Sequence, residues 1–492
     1  MRISNGGPAV SHNALVLFPF DDRSVPFQKL LKLTLNGKRR SESSTQVVVP
    51  LGKEGAHDSV WIAYYGTVRK IGDELWMWYL GQGPDERWHQ RVCLAKSTDG
   101  HTWTKPDLGL VEYHGSKQNN LVDFGEDFHV QACIVFHEPD EPDPDKRFKM
   151  AFESRKLHGR IGVAYSSDGL CWKESPNNPV AGWFEMAGGT KLDGCYYLAG
   201  QGGKHAVGLR QLATFASYDF ENWTDATCSG LRRSNVSPRP EVFGFDSGEQ
   251  IHLGAALWNR GNVIIGFYGK WNGNPSNDRR MVTMDLGFAV SCDAIHYKEP
   301  IPDYPIVSAA EDSWRHKRKE YLTLNFPALI QGQGFENVGD ETLFWYSPWP
   351  EEASDGVRVM DWPRDRLGYF SPYKAGVWVS SDEKNPHFIS APIDLEGKPA
   401  KVVVNVEGIN DNSSITVEIL DKQFKPVLGY DRSECVGPAG DGFAVPVGWT
   451  EHKTIGGAAA AGPANGEIRL RVDFTGVRPE DVRLYAVYIE PA

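Results

Sequence analysis

Between Trp61 and Ser347 the chain alternates short apolar, aromatic-rich runs with turns built from Gly, Asp and Asn, and one pattern recurs five times. After "IGDE" comes "LWMWYL" (75–80), and after "DPDKR" comes "FKMAFES" (148–154). "KLDG" leads into "CYYLAG" (195–200), "NRGN" into "VIIGFYG" (263–269), and "VGDE" into "TLFWYS" (342–347). Each run follows another apolar stretch: "VWIAYYGTV", "HVQACIVF", "MAGGTKL", "IHLGAALW" and "GQGFENV". Four repeats add a third element written around a serine, an acid and an aromatic: "AKSTDGHTW", "AYSSDGLCW", "ASYDFENW" and "AVSCDAIHY". The Asp-Gly step supplies a tight turn, and the Trp or Tyr just beyond it packs on the neighbouring sheet. Helical periodicity is absent over this region. Five meanders with uneven loops predict a five-bladed β-propeller, with a large β-sandwich as the alternative.

The texture changes from Pro348 onward. "PWPEEASDGVRVMDWPRDRLGYFSPYKAG" is rich in Pro, Gly and charge and reads as a connection. Alternating stretches follow, among them "KVVVNVEG", "SITVEIL", "EIRLRVDF" and "RLYAVYIEP". The expected fold is therefore all-β: a propeller over 1–350, a linker over 351–369, and a β-sandwich over 370–492 that buttresses the propeller.

Composition narrows the function. The 492 residues carry a net charge of -12 with no basic stripe, which argues against a nucleic-acid partner. The apolar run from Ala14 to Phe20 is too short for a signal peptide, and no segment is long enough to span a membrane. Seven cysteines, widely spaced and without a C-x-x-C pair, suggest buried thiols in a reducing, cytoplasmic setting. Neither a cofactor nor a metal is expected, since His57, His129 and His252 match no short zinc spacing.

Candidate chemistry lies where the first strands begin. In a propeller those strands line the central channel and run the same way, so their starts converge on one mouth. The residues there are Asp58, Asp127, Glu185, Glu249 with His252, and Gln331 with Glu336. Crowding acids around a narrow mouth raises their pKa values and costs stability, which fits acid–base chemistry or polyol binding.

The segment "CLAKSTDGHTWTKPDLGLVEYHGSKQNNLV" (93–122) and the tail motifs "DRLGYF", "KPVLGYDRSEC" and "RLYAVYIEP" resemble bacterial proteins near one superfamily of propeller enzymes. That is the arabinanase/levansucrase/invertase superfamily, glycoside hydrolase families 32, 43 and 68. The resemblance implies three acids on the first three blades: Asp58 as nucleophile or base, Asp127 as transition-state stabiliser and Glu185 as general acid. The flanks of Asp58, "HDS", depart from the family's "WMNDPNG". For Glu185, the neighbours in "WFEMAGG" would also raise the pKa as a general acid requires. Trp61 and His129 are placed to stack on or hydrogen-bond to a sugar, with Glu249, His252, Gln331 and Glu336 as further contacts.

The expected activity is glycoside hydrolysis, exo-acting on short oligosaccharides, with a furanoside among the candidate substrates. A non-catalytic glycan-binding propeller is one rival. A phosphorylase or lyase is the other, and a phosphorylase would draw on Arg210, Arg232, Arg233 and Arg239.

Overall fold

The computed structural model describes residues 1–39, 47–84, 89–125, 129–202, 211–231, 233, 251–272, 283–309, 328–349, 355–373, 385–456, 466–476, 478 and 481–492. Among these there is no α-helix. Two 3₁₀ turns, Pro144–Lys146 and Arg155–Leu157, interrupt an otherwise all-β chain.

Five antiparallel meanders follow one another, and the aromatic runs picked out above are the second strand of each. The first strands are Trp61–Ile71, Val130–His137, Phe184–Leu192, Ile251–Asn259 and Leu329–Val338. The second strands are Glu74–Gln82, Phe148–Ser154, Cys195–Gly202, Ile264–Asn272 and Glu341–Pro348. Each first strand packs against the next, and the fifth returns to the first through a parallel bridge from Gln333 to Thr67. The first strands are buried on both faces, so side chains take over the hydrogen bonding that links one meander to the next.

Those links fix the direction of every strand. Thr67 Oγ1 donates to the Cys133 carbonyl at 2.9 Å and accepts from the Val135 N–H at 3.0 Å. Gln333 Oε1 accepts from the N–H groups of Gly189 and Leu257, each at 3.0 Å, while its amide nitrogen donates to the Leu257 carbonyl. Residues midway along all five strands thus lie at one level. The strand starts gather at one end of the ring and the strand exits at the other.

The serine-acid turns work as locks between meanders. Asp99 Oδ1 accepts from the backbones of His101 and Thr102, and the Trp103 indole donates to the Gly100 carbonyl at 2.8 Å. Trp345, from the second strand of the fifth meander, donates to that same carbonyl at 3.0 Å. The turn at Gly169 repeats the device with its own Trp172 and with Trp78 of the first meander. Gly100 and Gly169 have φ of +77° and +75°, which suits glycine.

Two expectations about the connections give way. Residues 351–369 were expected to link two domains, yet Gly356–Pro363 is the third strand of the fifth meander, paired with Glu341–Tyr346. Arg358 is fully buried with its guanidinium on Asp355. The N-terminal segment was assigned to the propeller, but Leu15–Leu17 pairs with Val487–Ile489 near the C-terminus. Phe27–Lys29 and Leu31–Leu35 likewise join Ile389–His387 and Pro372–Gly368. The fourth place in the fifth meander is taken by Val47–Pro50, so an early strand completes the last meander.

The C-terminal strands form two sheets, one centred on Ala400–Glu407 and Arg483–Pro491, the other on Ser414–Leu420 and Arg469–Thr475. Their shared core includes Val402, Val404, Val417, Leu470, Val472 and Val487. Leu15 and Leu17 enter this core, whereas Val16, Phe18 and Phe20 enter the core of the fourth and fifth meanders. Successive side chains of a strand point to opposite faces, so one short strand fastens two cores.

Candidate active site

At the strand-start end two carboxyl groups come together, and only one was anticipated. Glu185 opens the third meander, half-buried, opposite Gln201 in the strand register. The Gln201 amide nitrogen donates to the Glu185 carboxylate, and its oxygen accepts from the Leu253 N–H at 3.0 Å, tying the pair to the fourth meander. Glu153, near the end of Phe148–Ser154, is 4% exposed. Burial, reinforced by the negative charge of Glu185, pushes its carboxyl well above the usual carboxylate range. Glu153 is thus a carboxyl group whose protonated form is favoured, beside a second carboxyl group.

An exposed indole stands next to them. Trp183 is 41% exposed, two residues before Glu185. A side-chain carbon at Gly159 would lie 2.6 Å from the Trp183 ring and 3.6 Å from Glu153 Oε1. With φ at +72° as well, Gly159 is the residue that lets the indole settle against this acid.

Histidine and further aromatics occupy the fourth and fifth meanders at the same end. His252 Nδ1 lies 3.4 Å from the Tyr65 hydroxyl, and its ring is 5.8 Å from Trp271 and 5.1 Å from Trp349. Burial and His252 make this wall compact: Trp61, Trp271, Trp349 and Leu253 belong to one core. Gln331 is fully buried, and its amide nitrogen donates to the carbonyls of His252 and Gly254 at 2.6 and 2.8 Å. His129 is buried with its ring 6.3 Å from His89. Trp61 is also buried, so it supports the wall instead of presenting a face to a sugar.

Asp58 lies elsewhere. It is 1% exposed and enclosed between the second strand of its own meander and the segment near Gly52. Its Oδ2 accepts from the Tyr79 hydroxyl at 2.8 Å and from Lys105 Nζ at 2.5 Å. Asn120 bridges Tyr79 and His57, at 2.8 and 2.7 Å, completing a buried network. A Cβ at Gly81 would come within 2.6 Å of the Asp58 Cβ, so the second strand passes directly over it. This geometry makes Asp58 the buried partner of Lys105 rather than a carboxylate facing the channel.

Glu336 also departs from the expected mouth. It lies near the exit of Leu329–Val338, in a cavity of about 840 Å³ at the opposite end of the ring. That cavity holds no comparable pair of carboxyl groups. Glu138 is bound by Lys149, Lys191 and the Tyr196 hydroxyl, which leaves Glu336 and Asp73 as its other acids.

Asp127 and Glu249 lie outside the described residues, as do Arg210, Arg232 and Arg239. Arg233 is engaged by the protein, donating to the Trp271 carbonyl at 2.7 Å and to Asp303 at 2.6 Å. Among the described residues no group of three His, Cys, Asp or Glu is arranged to hold a metal ion, and no helix is long and apolar enough to cross a membrane.

Glu153 and Trp183 are the residues that sequence reasoning passed over. The signal was present: in "FKMAFES" the charges of Lys149 and Glu153 share one face of a strand whose neighbours are all buried. A charge on such a face needs a partner or a function. Lys149 has Glu138 and Glu141, while Glu153 has no hydrogen-bond partner among the described residues.

No family model matches the chain, and no curated protein does. Solved structures that resemble it include an exo-β-1,3-galactanase from Phanerochaete chrysosporium, at 11% identity and a TM-score of 0.39, covering 90% of this chain and 100% of that one. A glycosyl hydrolase from Bacteroides ovatus matches at 13% identity and a TM-score of 0.44, covering 70% and 96%. A structure from the GH130 family of mannoside phosphorylases, which contains glycoside hydrolases that target β-1,2-mannosidic linkages in Candida mannan, matches at 13% and 0.42, covering 68% and 95%.

Proposed function

We propose that this chain is a glycoside hydrolase, built as a five-bladed β-propeller with a C-terminal β-sandwich, that cleaves a glycosidic bond at the strand-start end of the ring. The observation that carries the reading is the Glu153–Glu185 pair, in which burial raises the pKa of one carboxyl group beside the other. Glycosidic cleavage needs that asymmetry: one group to protonate the leaving oxygen, the other to attack the anomeric carbon or activate water.

The roles follow from the surroundings. Glu153 carries the proton and serves as general acid. Glu185, held by the Gln201 amide, is the ionised partner and acts as nucleophile or base. This exchanges the role first expected of Glu185, because the heavier desolvation falls on Glu153. Trp183 offers an apolar face for a sugar ring, and His252 and Tyr65 supply polar contacts across the mouth. Asp127 keeps its proposed role as a third acid that binds hydroxyls of the distorted sugar, and Glu249 its role as a contact. All seven cysteines are free thiols, which fits a reducing compartment and hence short oligosaccharides cut by exo action.

Aryl furanosides and pyranosides, assayed with and without inorganic phosphate, test the proposal. Hydrolysis independent of phosphate, lost in Glu153→Gln and in Glu185→Gln, is the expected result. Undiminished turnover in both variants overturns the assignment. Strict dependence on phosphate replaces hydrolysis by phosphorolysis.

A further inference from the structure

The exit end of the ring holds the 840 Å³ cavity, well within the size of small-molecule sites. Its charge runs against the rest of the molecule. The chain as a whole carries -12, yet this cavity is lined by Arg69, Lys70, Lys191, Arg260 and Arg364 against Asp73, Glu138 and Glu336. Some of these charges are already matched. Lys191 is on Glu138, and Arg260 grips Asp365 with both terminal nitrogens.

Two groups of opposite sign retain bonding capacity. Arg69 donates Nε to the Val135 carbonyl at 2.8 Å and lies 5.8 Å from the Phe136 ring, which orients the guanidinium. Its two terminal nitrogens have no hydrogen-bond partner among the described residues. Burial draws its pKa down to about 10, a sign of the cost of holding this charge here. Glu336 is half-buried, and the one hydrogen bond it receives among the described residues is from the N–H of Asn337 at 3.0 Å. Burial raises its pKa, while Lys70, Arg69 and Arg260 oppose that rise. Unspent donors and acceptors facing one cavity are costly unless something completes them.

The supporting residues are stiff. Asp365, besides holding Arg260, accepts from Asn337 Nδ2 at 3.0 Å and from the Tyr488 hydroxyl at 2.7 Å. Thr342 in turn donates to Asn337 at 2.6 Å. The Glu336–Asn337 corner is thus fixed before any ligand arrives, which lowers the entropic cost of binding.

We propose that this cavity is a second binding site, for a small polyol bearing an oxyanion, with the Arg69 fork taking the oxyanion and Glu336 accepting from hydroxyls. A planar guanidinium matches carboxylate and phosphate oxygens two at a time, and Lys70 at the rim adds charge of the same sign. The oxyanion is a carboxylate or a phosphate. The site does not depend on the chemistry assigned to the mouth, which lies at the opposite end of the ring.

Calorimetric titration of the full chain with glucuronate, glucose 6-phosphate, glucose and inorganic phosphate tests this. Either sugar acid should bind, glucose should not, and the tighter of the two acids identifies the oxyanion. Arg69→Gln should weaken that binding at least about tenfold, as loss of a charged hydrogen bond implies. Glu336→Gln, which keeps the side-chain shape, should weaken it in the same direction while the thermal transition confirms folding. Glu153→Gln should leave it unchanged. The proposal fails if neither acid binds at about 10 mM, a concentration that saturates even millimolar sites. It also fails if binding survives Arg69→Gln undiminished, or if Glu153→Gln removes it.

Discussion

The two ends of the ring are made from the same five strands, yet they solve opposite problems. At the strand starts an acid, Glu153, is buried beside another acid, and both burial and that neighbour's charge raise its pKa. At the strand exits Glu138 is only partly buried, and Lys149 and Lys191 reach it, so its carboxyl is held below the usual range despite the burial. The difference teaches where to look for chemistry. Paired charges stabilise a wall, whereas an unpaired acid kept neutral is prepared to give up a proton.

The comparison breaks most visibly at Glu185. Glu185→Gln should lower turnover on a confirmed aryl glycoside by at least about 100-fold, the lower range for a positioned acid–base group. Arg69→Gln at the far end should leave turnover within about twofold, as surface-distant changes do. A reversed outcome would move the chemistry to the exit cavity.

Asp58 provides the next contrast. Asp58→Asn leaves Lys105 without its counter-charge and should cost about 2–3 kcal/mol of stability in urea denaturation, somewhat below a fully buried pair because Lys105 is partly exposed. Folded enzyme should keep its turnover. Loss of turnover with stability intact would restore Asp58 to the catalytic set.

Trp183→Ala should raise KM about tenfold with kcat little changed, the value of one aromatic face on a sugar ring. The pH dependence sharpens the same point. A raised carboxyl pKa means the protonated form of Glu153 is present below that value, so activity should fall as pH rises through it. The associated stability is present at low pH and lost in the same alkaline direction, because the unfolded chain releases the proton more readily. Glu153→Gln, which cannot titrate, should flatten the alkaline loss of stability measured by denaturation across pH. The smallest effect is expected at the far rim. Gly339 has φ of +55° with nothing within 4 Å of where a Cβ would stand, so Gly339→Ala tests strain alone. It should cost about 1 kcal/mol and spare turnover.

The repeats were legible because a strand's period of two and its terminal turn are local properties. "LWMWYL" and "TLFWYS" announce second strands, and "STDGHTW" announces the turn that Trp345 locks from outside. The site was less legible. Sequence position marks Asp58 as lying near a strand start, but not that Tyr79 and Lys105 would close over it. Glu336 follows Leu329 by seven residues, and at about 3.3 Å per residue that carries it some 20 Å down the strand. Glu153 sat in a second strand, where attention to the first strands overlooked it. The strand 15–17 was placed with the propeller although it pairs with Val487–Ile489, since "LVL" suits either core it touches.

That strand bears on how the chain is made. Leu15–Leu17 has its ladder partner at Val487–Ile489, and Phe18 and Phe20 rest on meanders built from residues beyond 250. At about 5–20 residues per second, synthesis of the intervening chain takes roughly half a minute to a minute and a half. For that interval Leu15–Leu17 has no ladder partner, although the meanders that receive Phe18 and Phe20 are made earlier. Val47–Pro50 waits similarly for Gly356–Pro363 before the ring can shut. Docking of Leu15–Leu17 beside Val487–Ile489 therefore waits until almost all of the chain has been made.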